Sequence, residues 1–325
     1  MSSRSLPSPS SRRVWCLLAV ALLLVSVTGA CTPDRPVEGA VDGAAAHPAG
    51  HVEASPVALV TGSTAGLGRA LALALASEGY HVIVHGRNEE RGEGVVEAIA
   101  AEGEGSARFL PADFARLEEV QALAELVSTE YDHLDLLVNN AGVGPGAPGH
   151  ERVLTPDGHE LRFQVNYLAG YVLTRELLPL LQASAPSRIV NVSSRSQRPL
   201  DFEDLTLERG YSGGVAYGRS KLAQILHVQN LAEALQGTGV TAVAVHPAPA
   251  MATGLVLETG GTPQSTVADG LASVLNAIRS DVPSGTFFFE LEPQRAHEQA
   301  YDAEARRLLR ELSEDSVERA LGGGD

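Results

Sequence analysis

The sequence contains little cysteine and almost no lysine. Only two of its 325 residues are cysteine, Cys16 and Cys31, and both lie at the start of the chain. The remainder therefore has no disulfide framework, no thiolate metal site and no cysteine nucleophile. Lysine occurs once, as Lys221, among 24 basic residues. Because arginine cannot replace lysine without changing geometry and hydrogen bonding, a lone lysine in an arginine-rich chain indicates a chemical role.

Basic residues are also scarce relative to acidic ones. The chain has 24 Lys and Arg against 40 Asp and Glu, which gives a formal net charge of −16. A groove for nucleic acid needs clustered basic side chains to replace counterions, and the sequence has no such cluster. The charge balance thus excludes a nucleic-acid partner and predicts a self-repelling surface, while the 44% hydrophobic content is enough for a large buried core.

Residues 1–31 have the layout of a bacterial export signal. A positive segment precedes an uncharged apolar run over 14–27, and small residues follow up to Cys31. The Arg12-Arg13 pair resembles a twin-arginine signal, whose machinery exports folded proteins. The Gly-Ala-Cys ending resembles a lipoprotein processing site, so we predict an exported or membrane-anchored bacterial protein.

Two alternatives for this segment stay open. The apolar run over 14–27 could remain as an uncleaved membrane anchor, although it is shorter than the roughly 20 residues that a span needs. Alternatively, translation starts at a later codon and the protein is cytoplasmic. Residues 32–55, rich in Ala, Gly, Pro and His, show no apolar periodicity and are predicted to form a flexible linker.

From residue 56 to about 320, apolar runs of strand length alternate with segments of helical periodicity. The predicted strands cover 57–60, 81–85, 108–111, 134–138, 188–192, 240–245 and 286–290. The predicted helices cover 67–78, 89–101, 117–129, 158–182, 215–236, 266–279 and 296–312. This alternation implies parallel strands with right-handed crossovers, and continuously apolar strands imply helices on both faces. We therefore predict one α/β domain over 56–320, with a doubly wound, Rossmann-type parallel sheet of about seven strands that binds ligands beyond their carboxyl ends.

A glycine-rich turn directly follows the first predicted strand and opens the first helix. It spans Thr61–Gly68 and has the spacing Gly-x3-Gly-x-Gly. Glycines at such a turn let a pyrophosphate approach backbone N–H groups at the helix N-terminus, although a lone glycine cluster can also mark an ordinary turn. The predicted cofactor-binding residues of this turn are Gly62, Ser63, Gly66, Leu67 and Gly68.

The ends of the second and third predicted strands favour NADP over NAD. An acidic residue ending the second strand would bind a ribose 2′-hydroxyl, but this strand ends in His85-Gly86-Arg87. Arg87 can pair with a 2′-phosphate, and its alternative is a solvated loop arginine. Asp113, just after the third strand, is placed to meet the adenine edge, and its alternative is a helix-capping aspartate.

A short stretch, Asn-Asn-Ala-Gly over 139–142, directly follows the fourth predicted strand. Small residues at this place would let the backbone pass close to a bound cofactor. Asn and Gly are also ordinary turn residues, so the stretch alone does not decide between the two interpretations. The residues predicted to contact the cofactor here are Asn140, Ala141 and Gly142.

Tyr217 and Lys221 are the strongest candidates for catalysis. They are four residues apart on a predicted helix and therefore share one face. An ammonium beside a phenol lowers the phenol pKa from about 10, which makes the tyrosine usable as a general acid–base near neutral pH. The alternative, an arbitrary surface pair, is disfavoured because Lys221 is the chain's single lysine.

These motifs together resemble the short-chain dehydrogenase/reductase family. The glycine-rich turn, the Asn-Asn-Ala-Gly stretch, a serine after the fifth predicted strand and Tyr-x3-Lys occur in that family's order, and the resemblance covers roughly residues 56–320. Within the family the chain is similar to the retinol-dehydrogenase-like and protochlorophyllide-reductase-like branch. The similarity lies in the strand over 188–194, the insert over 200–205 and the Asp-Gly-x-Glu segment within 155–166.

The resemblance implies four catalytic residues, a reaction and no metal. Asn166, Ser194, Tyr217 and Lys221 match the family's catalytic positions. They imply hydride transfer between NADPH and a small-molecule carbonyl or alcohol, with Tyr217 as general acid–base and Ser194 hydrogen-bonded to the substrate oxygen. Tyr217 and Lys221 would also contact the cofactor, Lys221 through the nicotinamide ribose, and Asn166 would position a water that relays protons to Lys221.

The chain departs from the family pattern after the sixth predicted strand. The family's Pro-Gly is replaced by Pro-Ala at Pro247, and the threonine that usually contacts the carboxamide is one position late, at Thr253. Pro247 and Thr253 are still the residues of this loop expected at the cofactor. Ala250, Met251 and Leu255 are predicted to belong to a mobile substrate loop, so the substrate cannot be read from the sequence.

Two other functions compete with an active reductase. A nucleotide-binding protein without catalysis could act as a scaffold or redox sensor, but a chain freed from catalysis should lose members of the four-residue set, which is intact. A sugar-nucleotide epimerase or dehydratase usually carries Gly-x2-Gly-x2-Gly, which differs from the spacing here. We therefore predict an NADP-dependent oxidoreductase acting on a carbonyl or alcohol, with assembly into a homo-oligomer left open.

Overall fold

The computed structural model describes residues 55–147, 149–257 and 260–322, so the predicted export signal and all but the last residue of the predicted linker lie outside the described residues. Within these ranges, eight strands form one sheet in the order β3-β2-β1-β4-β5-β6-β7-β8. The strands are β1 (Val57–Val60), β2 (His81–Gly86), β3 (Ser106–Pro111), β4 (Leu136–Asn139), β5 (Ser187–Val192), β6 (Val240–His246), β7 (Phe287–Phe289) and β8 (Glu292–Gln294). Neighbouring strands are parallel except β7 and β8.

Helices connect the strands. They are α1 (Gly66–Ser77), α2 (Glu89–Glu102), α3 (Leu117–Glu130), α4 (Ala169–Ala183), α5 (Gly213–Ala234), α6 (Gly254–Leu257), α7 (Val267–Arg279) and α8 (Ala303–Leu321). A π-helical turn, Phe163–Leu168, directly precedes α4, and a 3₁₀ turn, Glu298–Tyr301, comes shortly before α8. None of the described helices is both long enough and apolar enough to span a bilayer.

Alternate side chains of the strands fill two separate cores. Successive side chains of a strand point to opposite faces of the sheet. Leu59 and Ile83 therefore pack on the face covered by α3, α4 and α5, while Val60 and Val84 pack on the face covered by α1, α2 and α7. All four side chains are fully buried, and each burial of this kind stabilises the fold by about 1.5–3 kcal/mol. The predicted doubly wound architecture is confirmed.

The sheet has one strand more than the sequence indicates. β8 pairs antiparallel with β7 after a turn at Glu290, whose φ is +58°. All three residues of β8 are exposed. The strand therefore contributes no buried apolar run, and an apolar run is the pattern by which the other strands are predicted.

The helix predicted over 158–182 begins later than expected. Gly158 has a φ of +82°, which belongs to a turn, and helical geometry begins at Leu161. The Glu160 carboxylate accepts hydrogen bonds from Arg162 N at 2.8 Å and from Phe163 N at 2.9 Å. A capping carboxylate, rather than apolar periodicity, thus sets the first turn.

The last helix is also displaced relative to the prediction over 296–312. α8 begins at Ala303 and runs to Leu321. Asp302 caps it, with its carboxylate accepting hydrogen bonds from Glu304 N at 2.8 Å and Ala305 N at 3.2 Å. The cap interrupts the apolar periodicity and separates the 3₁₀ turn from the helix.

Candidate active site

Two of the motifs predicted to contact the cofactor lie where the strand order reverses. β1 and β4 are neighbours in the sheet, but the strands that follow them in sequence lie on opposite sides. The glycine-rich turn follows β1 and the stretch over 139–142 follows β4, so both lie at the carboxyl ends of the central strands. Open α/β sheets bind ligands in the crevice formed at such a point.

Two glycines of the turn are required by close approaches of the backbone. Gly62 has a φ of +65°, and a Cβ there would lie 2.8 Å from Ala141 Cα. A Cβ at Gly68 would lie 2.3 Å from Gly62 O and 2.5 Å from Asn140 Nδ2. Asn140 Nδ2 also donates to Thr61 O at 2.8 Å. The two motifs therefore hold each other in place, and side chains at these glycines would force them apart.

At the N-terminus of α1, the first three N–H groups have no hydrogen-bond partner in the part of the chain that the structure describes. Its N-cap, Ala65, has no side chain that can accept a hydrogen bond, and no acidic residue lies in its first turn. Such N–H groups attract anions, phosphates in particular. A Cβ on Gly66 would lie 3.3 Å from Thr253 Cγ2. Thr253 therefore lies against this turn despite its shifted position in the sequence.

The side chains of Ser63 and Leu67 hold the turn in place. Ser63 Oγ donates to Val60 O at 2.7 Å and accepts from His85 N at 3.0 Å, and the side chain is fully buried. Leu67 belongs to the core beneath α1. Ser63 N also donates to His85 O at 2.9 Å, so of these two predicted cofactor-binding residues only Leu67 keeps an N–H group without a partner among the described residues.

His85 is a functional candidate that the sequence reasoning missed. Its Nδ1 accepts a hydrogen bond from Gly62 N at 3.1 Å, which leaves Nε2 to donate to Ala112 O at 3.2 Å. The ring stacks on Phe114 with 4.3 Å between centroids. Burial lowers the pKa of His85 to about 4, so the neutral ring holds the glycine-rich turn at pH 7. The sequence feature that could have identified His85 is its polar side chain near the end of the otherwise apolar strand β2.

We expect acid to destabilise the fold through His85. The pKa of this histidine is about 4 in the folded protein and 6.5 in the unfolded chain. Because the folded pKa is lowered, the unfolded state binds the proton first, and stability is lost as the pH falls from 6.5 towards 4. The loss from this group is about 3 kcal/mol. Denaturant titrations between neutral pH and pH 4 measure it.

The His85→Gln variant provides the comparison. Glutamine also has one acceptor and donors, so it can replace both hydrogen bonds of the ring, but it does not titrate. We expect the variant to lose less stability than the wild-type protein over the same pH interval. Identical pH profiles for the two proteins would show that His85 does not carry the effect.

Arg87 and Asp113 meet at the ends of β2 and β3. Arg87 Nη1 and Asp113 Oδ1 are 3.9 Å apart, and the Arg87 side chain is 69% exposed. Asp113 Oδ1 also accepts a hydrogen bond from Ala115 N at 3.1 Å, which closes a local turn. α3 begins only at Leu117, with Arg116 as its N-cap, so Asp113 is not the helix cap that was considered as its alternative. An exposed ion pair of this length contributes little to stability. The Arg87 guanidinium can therefore exchange this partner for a phosphate.

The N-terminal turns of α5 bring the predicted catalytic pair to the end of β5. Lys221 Nζ lies 5.8 Å from the centroid of the Tyr217 ring. Ser194 follows β5, and its hydroxyl lies beside the Tyr217 phenol, where it offsets part of the rise in the phenol pKa that burial causes. The neighbouring Ser193 Oγ donates to Lys221 O at 2.7 Å and fixes the helix to the strand. Three of the four predicted catalytic residues thus meet at one place.

Burial controls the protonation of this pair. It raises the pKa of the Tyr217 phenol, which the Ser194 hydroxyl partly offsets, and it lowers the pKa of Lys221 to about 7. The lowering of the phenol pKa expected from Lys221 is absent, because Lys221 Nζ donates to Val192 O at 2.8 Å and to Gln224 Oε1 at 3.1 Å. Tyr217 is therefore protonated at neutral pH. The sequence reasoning also missed Gln224. Its position three residues after Lys221 on the same helix could have indicated a contact between the two side chains.

Asn166 is fixed within the π-helical turn. Its Oδ1 accepts from Val143 N at 2.7 Å, and its Nδ2 donates to Val143 O at 3.1 Å and to Ser220 Oγ at 2.9 Å. A Cβ on Gly142 would lie 3.2 Å from Asn166 Oδ1 and 3.7 Å from Lys221 Nζ. The structure therefore places Asn166 and Gly142 beside the lysine, and the fourth predicted catalytic residue joins the other three.

The loop after β6 borders the crevice. Pro247 follows β6 directly and is buried. Further along this loop, α6 lies against the segment after β4, since a Cβ on Gly144 would lie 3.0 Å from Leu255 O. The predicted substrate-loop residue Leu255 therefore contacts the opposite wall of the crevice.

The fold and the site together define a class of protein. A doubly wound parallel sheet has a glycine-rich turn at its switch point, and an asparagine, a serine, a tyrosine and a lysine meet nearby. This is the arrangement of a dinucleotide-binding α/β protein. The chain belongs to the short-chain dehydrogenase family, whose model matches residues 56–260.

Curated relatives place the chain in the retinol-dehydrogenase-like branch of the family. It is 41% identical to retinol dehydrogenase 11 of Mus musculus and 40% identical to retinol dehydrogenase 12 of Homo sapiens, in each case over 194 residues. Each alignment covers 59% of this chain and 60% of the relative, so the chain matches about three fifths of the relatives' length. The predicted branch is confirmed.

Solved structures share the fold. An uncharacterized protein from Mycobacterium paratuberculosis has a TM-score of 0.68 at 29% identity, covering 81% of this chain and 93% of its own. A protein described as a short chain dehydrogenase from Escherichia coli CFT073, complexed with NADPH, has a TM-score of 0.60 at 29% identity, covering 73% of this chain and 97% of its own.

Proposed function

We propose that this protein is an NADP-dependent oxidoreductase that interconverts a carbonyl and an alcohol. The observation that carries the proposal is the meeting of Asn166, Ser194, Tyr217 and Lys221 beside the crevice. A phenol that can give or take a proton, beside a hydroxyl donor, suits an oxygen that develops negative charge. Membership of the short-chain dehydrogenase family supports the same reaction class.

The crevice fits a dinucleotide. Gly62 and Gly68 let the turn pack closely against the stretch after β4, and the uncapped N-terminus of α1 offers N–H groups to a pyrophosphate. Arg87 would hold the 2′-phosphate at one end, while Tyr217 and Lys221 would hold the nicotinamide ribose at the other. When bound, NADPH supplies the hydride. NADP or NADPH occupies several structural neighbours, which supports this choice.

Each of the four residues has a separate role in the proton transfer. Tyr217, whose raised pKa keeps it protonated at neutral pH, donates its proton to the substrate oxygen during reduction. Ser194 donates a hydrogen bond to the same oxygen and stabilises its developing charge. Lys221, with a pKa of about 7, can hold or release a proton at Nζ and so restore the tyrosine. Asn166 positions the water through which that proton passes.

Arg87→Ala should weaken NADPH binding selectively. The exposed guanidinium faces only Asp113 among its described neighbours, and its proposed partner is the 2′-phosphate that distinguishes NADPH from NADH. Loss of a charge-assisted, bidentate contact should raise the Kd for NADPH about 10- to 100-fold and leave the Kd for NADH nearly unchanged. Fluorescence titration of the reduced cofactors measures both. Arg310→Ala, on the exposed face of α8, removes the same charge as a control. A wild-type preference for NADH would refute this role for Arg87.

A spectrophotometric panel tests the reaction class. NADPH oxidation would be followed with aldehydes and ketones, and NADP⁺ reduction with alcohols. Retinal and retinol belong in the panel because the curated relatives are named retinol dehydrogenases. Turnover of any carbonyl or alcohol supports the proposal. Tight NADPH binding without turnover of any class would favour the alternative, a catalytically inactive scaffold or redox sensor.

We also propose that residues 56–320 form the catalytic domain and that residues 1–31 direct export, with lipid attachment at Cys31. This proposal rests on the signal-like layout of the first residues and on the family match over 56–260. Mass spectrometry of the mature N-terminus tests it. A lipidated Cys31 supports export, whereas a protein that begins near residue 50 rules it out.

A further inference from the structure

Two arginines flank the candidate catalytic serine and tyrosine. Arg195 directly follows the serine. Burial and, to a smaller degree, the charge of Arg195 lower the pKa of His246 at the end of β6, so the guanidinium lies near the carboxyl ends of the strands. Arg198 lies on the tyrosine side. Its Cγ passes so close to Gly218 that a Cβ on this glycine would lie 2.4 Å away, and Gly218 is the neighbour of Tyr217. Both arginines therefore lie on the loop that carries Ser194, and Arg198 also lies against the helical turn of Tyr217.

Neither guanidinium has a partner within the described part of the chain. Both arginines are exposed, and neither side chain makes a hydrogen bond or ion pair with a described residue. By contrast, Arg219, two residues after Tyr217, donates to Asp204 O at 2.5 Å and lies 3.9 Å from the Asp201 carboxylate. In a chain of net charge −16, two unneutralised arginines beside the reacting groups produce a local positive field that attracts anions.

The backbone that carries the two arginines is fixed by side-chain hydrogen bonds. Gln197, between them, donates from Nε2 to Ser194 O at 3.2 Å and accepts at Oε1 from His297 N at 2.6 Å. Arg198 N donates to Gly218 O at 3.2 Å. The charged groups are therefore presented from a preorganised loop, which lowers the entropic cost of binding a ligand.

We propose that the substrate carries an oxyanion group, a carboxylate or a phosphate, which Arg195 and Arg198 bind while its carbonyl meets Ser194 and Tyr217. The inference rests on the proposed function and adds a substrate class to it. A guanidinium presents paired N–H donors that match two oxygens of such a group. Binding the anion at a fixed distance from the tyrosine also orients the carbonyl for reaction.

Three related aldehydes test the proposal with NADPH as reductant. They are 4-formylbenzoate, its uncharged methyl ester and 4-formylphenyl phosphate. We expect the kcat/KM of the wild-type protein for at least one of the two anions to exceed that for the ester by about tenfold or more. The ratio should shrink as salt is added, because exposed charges are screened. The ranking of the two anions distinguishes carboxylate from phosphate.

The double variant Arg195→Gln/Arg198→Gln gives the sharpest comparison. We expect its ratio of kcat/KM, anion over ester, to fall towards one. Arg310→Gln, on α8, removes one positive charge far from the proposed site in sequence and should keep the wild-type ratio. A double variant that keeps the wild-type ratio would refute the role of the two arginines.

Calorimetry separates this inference from the proposed function. Benzoate, phenyl phosphate and the uncharged probe benzamide would be titrated into the full chain saturated with NADP⁺. If the wild-type protein binds an anion and the double variant does not, the oxyanion site is supported. In that case, absence of aldehyde turnover would count against the proposed function alone. Equal kcat/KM for ester and anions, with no anion binding by calorimetry, overturns the oxyanion site and leaves the proposed function standing.

Discussion

Tyr217→Phe should lower kcat for carbonyl reduction by about 100- to 10,000-fold, with little change in the Kd for NADPH. The substitution removes the phenol oxygen, which is the proton donor of the proposed reaction and lies beside the Ser194 hydroxyl. The ring near Lys221 remains, so packing and cofactor binding should persist. Steady-state rates and a fluorescence titration of NADPH separate the two effects.

Tyr80→Phe is the matched control for this experiment. Tyr80 directly precedes β2, at the end of the sheet opposite to the site, and its phenol oxygen has no hydrogen-bond partner in the described ranges. The same loss of one oxygen should therefore leave kcat unchanged. If the Tyr217→Phe variant kept kcat within about threefold of the wild-type value, Tyr217 would not be the proton donor.

Gly68→Ala should damage both the stability of the fold and cofactor binding. The new Cβ would lie 2.3 Å from Gly62 O and 2.5 Å from Asn140 Nδ2, and neither atom belongs to a flexible side-chain end. The glycine-rich turn would have to move away from the stretch after β4. We expect the free energy of unfolding to fall by about 2–3 kcal/mol. The Kd for NADPH should rise at least about tenfold. A tenfold rise in Kd corresponds to a loss of only about 1.4 kcal/mol of binding free energy, and displacement of the turn would weaken contacts with the cofactor by at least that amount.

Gly94→Ala isolates the steric cause. Gly94 lies within α2, and a Cβ there would meet no described heavy atom within 4 Å. An alanine at this helical position should raise the free energy of unfolding by about 0.5–1 kcal/mol, because glycine is a poor helix former. Denaturant midpoints should therefore shift in opposite directions for the two variants. A stable Gly68→Ala protein with normal NADPH affinity would contradict the close approach at the turn.

The strands of the sheet could be predicted where the buried residues are also apolar. β1 and residues 242–245 of β6 are continuous runs of buried apolar residues, and their place between helical segments already implies a parallel, doubly wound sheet. β8 joins the sheet through backbone hydrogen bonds alone. Because its side chains are exposed, its amino-acid composition does not indicate a strand.

The predicted first residues of two helices were wrong for a related reason. The carboxylates of Glu160 and Asp302 set the first turns of two helices, and capping overrides apolar periodicity locally.

The positions of the candidate site residues were predictable, but their chemical states were not. Tyr217 and Lys221 share a helix face because of their spacing, and the structure places them together. The direction of the pKa shift at Tyr217 depends on burial and on where Lys221 Nζ points, and neither can be read from spacing. His85 holds the glycine-rich turn through contacts between residues 23 apart in the chain, which only the folded structure reveals.

Lys221 carries the only side-chain amine of the chain, and its pKa of about 7 leaves a large part of that amine uncharged at neutral pH. Reductive methylation with isotope-labelled formaldehyde would therefore mark one side chain, without any mutation to remove competing lysines. A single nuclear magnetic resonance signal from that side chain would then follow its protonation during a pH titration. The chemical shift of the same signal would also change when cofactor or substrate binds, so one labelled side chain would report on both binding events.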